Sequence, residues 1–146
     1  MDNINIDIYP EARKNRGYVM STNKRIAYRV QHKDTGIGCY QHYDNVDTVI
    51  PDSIHDMWYE HGNFNGTHPN PYNDFGHNLQ WDEYCAFANL KQLKRWFGKW
   101  LYVLRGHGFQ IVKVECDIVG KGKYQVVIKN PMVLSTIPIA NVVRGK

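Results

Sequence analysis

Histidine side chains are concentrated in one stretch of the chain, and they are the first candidates for chemistry. His55, His61, His68 and His77 lie in or beside residues 61–80, a segment that also carries carboxylates. Neutral imidazoles and carboxylates that converge on one point can hold a metal ion. These spacings, however, match neither a helical ligand pair nor a Cys/His ligand pattern. We therefore expect no metal site.

Two further groups have the composition of catalytic pairs. Cys39 follows a glycine turn and lies near His32 and His42 in sequence, as a thiol and its general base could. A cysteine beside a short strand is more often a small buried hydrophobic residue. Glu115 and Asp117 share one face of a predicted strand and could act as an acid and a base, but they fit the solvated face of that strand better. Neither pair defines a reaction.

A basic face is the third feature with chemical meaning. Lys91, Lys94, Arg95 and Lys99 lie mostly on the polar side of one predicted helix, in a chain of net charge +4. Such a face can bind phosphates, although it is often only the solvated side of an amphipathic helix. With His68 from the neighbouring loop, these residues are our candidates for contacting nucleic acid or a partner protein.

The composition indicates a single domain without disulfides. The chain has 146 residues, of which 42% are hydrophobic and 13% aromatic, enough to bury one core. Its three cysteines form no CxxC motif, which favours a reduced, cytoplasmic setting. There is no signal-peptide pattern and no apolar run of about 20 residues, so we expect no membrane partner.

Hydrophobic periodicity predicts the elements that position these residues. Strict alternation predicts strands over 25–31, 112–118 and 124–129, the last two forming a hairpin, with Asn130 and Pro131 ending the third strand. Apolar residues at three- and four-residue steps predict one helix over 89–104, with Asn89 as its N-cap.

The predicted fold class is therefore α+β. We expect a small mixed or antiparallel sheet packed on one long amphipathic helix, with residues 61–80 forming a long irregular loop. Residues 1–23 are predicted to be a peripheral leader, and residues 24–146 a single domain. The loop is a candidate lid or partner-binding segment.

Taken in order, several sequence patches resemble a known group. RIAYRVQH, the glycine turn, the Pro/Asn/His loop, YCAFANLKQLKRWF, GFQIVKVECDI and KYQVVI resemble small uncharacterised proteins of phages and mobile elements. That layout is similar to the NAD-binding core of the ADP-ribosyltransferase fold. The resemblance covers about residues 24–129.

The resemblance implies a set of site residues. Arg29 matches the basic residue of the first strand, which holds the NAD phosphate, and Tyr28 lies beside it. Asn89 occupies the end of the Ser/Thr-rich motif. Gln125 stands where the catalytic Glu would be, and its neutral amide can bind a ribose hydroxyl but supplies no negative charge. The loop aromatics Tyr72 and Phe75 would complete the nucleotide site.

Three functional hypotheses follow from these residues. The first is an ADP-ribosyltransferase-like phage domain that binds NAD or a related nucleotide and acts on a host target, with NAD as a ligand rather than a required cofactor. The second is a non-catalytic phage inhibitor that docks on a host defence protein or nucleoprotein complex, in the manner of an anti-CRISPR. The third is direct nucleic-acid binding. All three place the protein in the cytoplasm of the host cell, and the oligomeric state is left open.

Overall fold

A computed structural model describes residues 24–40, 51–61, 68–69, 74–76 and 78–144. Its strands are β1 (Lys24–His32), β2 (Tyr84–Ala86), β3 (Phe109–Lys121) and β4 (Val126–Ile137). Its helices are α1 (Asp52–Glu60), α2 (Leu90–Phe97), α3 (Trp100–Gly106) and α4 (Ile139–Arg144). The predicted α+β class is confirmed, whereas the leader over 1–23 lies outside the described residues.

All four strands belong to one antiparallel sheet in the order β1-β3-β4-β2. The predicted hairpin is confirmed, since β3 and β4 are neighbours. The sheet also curls until its two edges meet, because Tyr28 of β1 and Phe87, directly after β2, exchange two backbone hydrogen bonds of 2.8 Å each. This closure brings β1 next to the segment that leads into α2.

Two hydrophobic clusters fill the fold. The first lies between the four strands, each of which contributes to it, and its small members Ala27 and Ala86 allow the tight curl. The second lies between the other face of the sheet and the helices, where Ile111 and Phe109 of β3 pack with Leu93, Leu101 and Leu104. Since neighbouring residues of a strand face opposite sides, β1 contributes to both clusters.

The prediction of one long helix is wrong, because the segment forms two consecutive helices. Gly98 divides the segment into α2 and α3 by adopting a φ of +52°, while its N–H donates to the carbonyl of Lys94. A positive φ at the residue after a helix is cheapest for glycine. The predicted N-cap is confirmed, because Oδ1 of Asn89 accepts a 2.8 Å bond from the backbone N–H of Gln92. The apolar stripe stays buried across the break.

One further prediction about the elements is wrong, and one helix was missed. Asn130 and Pro131 do not end the third predicted strand, since Asn130 takes a φ of +54° at an irregularity in the pairing and β4 continues to Ile137. Helix α1 was not predicted at all. It begins after Pro51, as helices often do, and buries Ile54 and Met57. Among the described residues, no helix is long and apolar enough to cross a membrane.

Candidate ligand-binding cavity

A cavity of about 480 Å³ opens where β1, the end of α1, the segment before α2 and the β3–β4 turn come together. This volume is within the roughly 300–1,000 Å³ of typical small-molecule sites. Most of its wall is apolar or aromatic. The main contributors are Val30, Trp58, Tyr84, Phe87, Trp96 and Phe97. A few polar groups interrupt this wall, and they are described next.

Arg29 is the one cation among the described residues of the cavity wall. It lies on the inward face of β1 with Ala27, and only 6% of its surface is exposed. Its Nε donates to Oε1 of Gln31 at 3.2 Å and its Nη2 to the carbonyl of Gly36 at 3.3 Å. The guanidinium carbon also lies 4.9 Å from the ring centre of Tyr84. These contacts fix its orientation.

None of the contacts of Arg29 supplies a negative charge. Within the described part of the chain no carboxylate forms an ion pair with it, and two of its five N–H groups are used in the bonds above. Burial lowers the pKa of Arg29, although a guanidinium stays protonated at any physiological pH. The carboxylate of Glu83, which also lines the cavity, accepts from the backbone N–H of Gln80 at 2.9 Å. Within the described residues, Arg29 is therefore a buried cation that lines a cavity without an ion-pair partner.

Gln125 lies in the same cavity wall. It belongs to the β3–β4 turn, where its carbonyl accepts from the N–H of Gly122 at 2.9 Å, and 4% of its surface is exposed. No side-chain hydrogen bond ties its amide to another described residue. The turn is held by Asp74, whose carboxylate accepts from the N–H of Lys123 at 2.7 Å and of Tyr124 at 3.4 Å. The resemblance thus named two residues that the fold brings to one site.

A histidine that sequence reasoning had not assigned to this site completes its polar groups. His61, directly after α1, is 5% exposed and lines the cavity. Its Nδ1 is 2.5 Å from Oη of Tyr40, which accepts a 2.7 Å bond from Nε1 of Trp96. Burial lowers the pKa of His61 to about 4, and the stacked ring of His68 adds to this shift. No sequence spacing links residues 40, 61 and 96, so only the fold could show this group.

The cysteines of the cavity are poor nucleophiles. Cys39 and Cys85 both line it, and burial raises the pKa of each thiol to about 12. The nucleophile in such chemistry is the thiolate, which these pKa values disfavour. His32, one of the two histidines suggested as a base for Cys39, packs edge-on against Phe109, and His42 lies outside the described residues. The described residues give the Cys/His hypothesis no support.

The other predicted nucleotide-site residues that the structure describes do not line the cavity. Tyr28 packs against the helix-side core, and Asn89 uses its side chain to cap α2. Phe75 is half-buried but does not line the cavity, and Tyr72 falls outside the described residues. Of the predicted residues that the structure describes, Arg29 and Gln125 line the cavity, together with His61.

The predicted basic face forms a second concave surface. Lys91, Lys94, Arg95 and Lys99 all line a groove of about 750 Å³ between α2 and α4. None of its described lining residues is acidic. His68 is not part of this groove, since its Nε2 donates to the carbonyl of Trp96 at 2.7 Å and its ring stacks on His61.

The remaining candidates form no further site. Asp117 pairs with Lys24 at 3.3 Å and accepts from Asn130 at 3.0 Å, as expected of a solvated face rather than an acid–base pair. No group of three or more His, Cys, Asp or Glu side chains that could hold a metal ion occurs in the described ranges.

Comparison with known proteins places this small α+β domain among phage proteins. The sequence profile of the bacteriophage T4 Y00F protein family matches residues 20–137, most of the chain, and the chain belongs to that family. No curated protein and no solved structure matches it. The expected likeness to small phage proteins is confirmed, whereas none of these findings extends it to ADP-ribosyltransferases.

Proposed function

We propose that this phage protein binds a small anionic ligand of the nucleotide type in the cavity around Arg29. The observation that supports this most is the burial of Arg29 without a carboxylate partner among the residues that the structure describes. A buried charge without a partner costs several kcal/mol in principle, so proteins rarely keep one for stability. An anion in the cavity would supply the missing charge.

The rest of the wall favours a ligand with a flat ring. The aromatic residues Trp58, Tyr84 and Trp96 line the cavity, and aromatic side chains stack on nucleobase or nicotinamide rings. The amide of Gln125 can both donate and accept, which suits the hydroxyl groups of a ribose. One cation, one amide and several rings therefore match the three parts of a nucleotide. NAD remains a candidate ligand on these grounds.

Binding is a better account of this wall than ADP-ribosyl transfer. Gln125 stands at the position where the resemblance implies a catalytic Glu, and an amide cannot stabilise a developing positive charge. The thiols of the cavity are held protonated. We therefore propose a protein that binds a nucleotide and does not catalyse its transfer.

Calorimetric titration with AMP, IMP and NAD tests this proposal. We expect binding to the wild type and a loss of about 10- to 100-fold in Arg29→Gln, since a charge-assisted contact is worth roughly 1.5–3 kcal/mol. Arg25→Gln is the matched control, because Arg25 lies on the same strand, is exposed and does not line the cavity. Absence of binding by all three ligands at millimolar concentration would exclude the proposal.

A second candidate function rests on the basic groove. We infer that the groove between α2 and α4 contacts an anionic macromolecule, such as the nucleic acid of a host nucleoprotein complex. Lys91 lies in the first turn of α2, where the helix dipole disfavours a cation, so helix stability does not explain it. Its position together with three further cations on one wall favours binding to a row of phosphates.

Fluorescence anisotropy with a labelled 20-nucleotide single strand, measured across a salt series, tests the second candidate. The double variant Lys91→Gln/Arg95→Gln should lower the salt dependence by about two phosphate contacts. Lys113→Gln/Lys121→Gln removes the same charge from β3 and should leave the slope unchanged. A flat salt response of the wild type would reject this candidate.

A further inference from the structure

A residue of the cavity wall carries a buried polar atom without a partner among the described residues. Nε2 of His61 is buried and forms no hydrogen bond within the part of the chain that the structure describes. Buried polar groups nearly always have a partner, and an exception in a cavity wall indicates a group that a ligand completes. His61 is more than nine-tenths buried and lines the same cavity as Arg29.

The neighbours of His61 determine which ring nitrogen carries the proton. Nε1 of Trp96 can only donate, so Oη of Tyr40 accepts from it at 2.7 Å. The phenol keeps its own proton, because burial raises the pKa of Tyr40. Within the described residues the acceptor for that proton is Nδ1 of His61. Nδ1 is therefore unprotonated, and Nε2 of the neutral ring bears the N–H.

We propose that His61 selects ligands by donating this N–H to an uncharged carbonyl oxygen on the ligand ring, as in a hypoxanthine or uracil base. The inference rests on the proposed nucleotide site and names the class of base that it takes. Adenine and cytosine present an amino group at the corresponding ring position. Two donors would then face each other, and the buried N–H would stay unsatisfied.

Arg29 and His61 would have different roles in the cavity, since Arg29 would bind the charged part of the ligand and His61 would select its base. Arg29 contacts Gln31, Gly36 and Tyr84, whereas His61 contacts Tyr40, His68 and Trp96, so the two polar groups have separate surroundings. A cation suits the phosphate, and a neutral donor suits a carbonyl. The aromatic wall between these neighbours holds the ring of the base.

Matched pairs of nucleotides test the selection. IMP and AMP share their ribose and phosphate and differ at the six-position, where one bears an oxygen and the other an amino group, and UMP and CMP differ similarly at the four-position. We expect the wild type to bind the oxo member of each pair about 10- to 100-fold more tightly in calorimetry, the penalty of one buried unsatisfied donor. His61→Phe keeps a ring in place but removes the donor, so the ratio should fall to near one while Arg29-dependent binding persists. His55→Phe, a histidine on α1 that lies outside the cavity, should keep the full ratio.

Each other outcome has a distinct meaning. Equal affinity of the wild type for both members of a pair overturns the role of His61 but leaves the nucleotide site standing. A ratio that survives His61→Phe also overturns it, because another group must then discriminate. Absence of binding by all four nucleotides overturns the role of His61, and absence of NAD binding as well overturns both proposals. Should His61→Phe fail to fold, ¹⁵N spectra of the wild-type ring must show a protonated Nε2 that responds to IMP and not to AMP, and an Nδ1-protonated ring contradicts the inference.

Discussion

Arg29 on β1 and Gln125 in the β3–β4 turn lie in the wall of the same cavity, although they are far apart in the chain. Among the described residues, Arg29 forms no ion pair with a carboxylate and the amide of Gln125 bonds to no side chain. The curl of the sheet, closed by Tyr28 and Phe87, brings the segment before α2 against β1, and both contribute to the cavity wall. The presence of both residues in one cavity wall supports a ligand site better than either residue would alone.

Replacing Gln125 should weaken binding without harming the fold. Gln125→Leu has a similar shape and removes a buried amide that lacks a described partner, so the free energy of unfolding should stay within about 0.5 kcal/mol or rise. Nucleotide affinity should fall about 5- to 10-fold, the value of one neutral hydrogen bond. Calorimetry and thermal melts measure the two effects. A large loss of stability with unchanged affinity would make Gln125 a structural residue.

Stability should depend on pH through His61. The unfolded chain binds the proton near the usual pKa of 6.5, and the folded chain only near 4. The unfolded state therefore holds more protons between these values, and the free energy of unfolding should fall by up to about 3 kcal/mol as the pH drops from 6.5 to 4. The nearby Glu60 carboxylate acts in the opposite direction but is exposed.

Urea unfolding measured at several pH values between 4 and 7 checks this dependence. His61→Phe should flatten the slope, whereas His55→Phe, which keeps the buried histidine, should retain it. A wild-type curve without slope in this range would mean that the folded protein accepts the proton on His61 freely.

The turn that carries Gln125 should be sensitive to Gly122. A Cβ at Gly122 would lie 2.4 Å from the carboxylate of Asp74, which accepts the N–H groups of Lys123 and Tyr124. Gly122→Ala should therefore displace Asp74 and destabilise the fold by roughly 1–3 kcal/mol. Gly106→Ala is the control, because a Cβ there meets nothing within 4 Å. Equal melting temperatures of the two variants would show that the turn adapts without cost.

Local pattern was enough for the elements with a clear period. Alternation correctly predicted β1, β3 and the β3–β4 hairpin, and the apolar stripe with Asn89 correctly predicted the start of α2. The short strand β2 and the pairing of β1 with β3 were not predicted. The break at Gly98 was missed because an apolar stripe continues across it. The extension of β4 was missed because Asn130 and Pro131 usually end a strand, and here a positive φ lets the chain continue.

The site was less predictable than the elements. Arg29 and Gln125 were named through the resemblance, but their shared cavity depends on how the sheet curls. His61 was seen only as one histidine among several, since its role depends on Tyr40 and Trp96, which reach it from distant segments. Contacts between buried polar groups that are far apart in the chain produce no local sequence pattern, so the sequence alone could not show them.

The most direct test of a ligand role for Arg29 is to measure stability and affinity together in Arg29→Met. Methionine fills a similar space without charge, so relief of the buried cation should raise the free energy of unfolding by about 1–3 kcal/mol. The same change should lower nucleotide affinity by about 10- to 100-fold. We therefore expect a variant that is more stable and binds at least tenfold more weakly. A variant that is less stable and binds as the wild type does would show that Arg29 serves the fold and not a ligand.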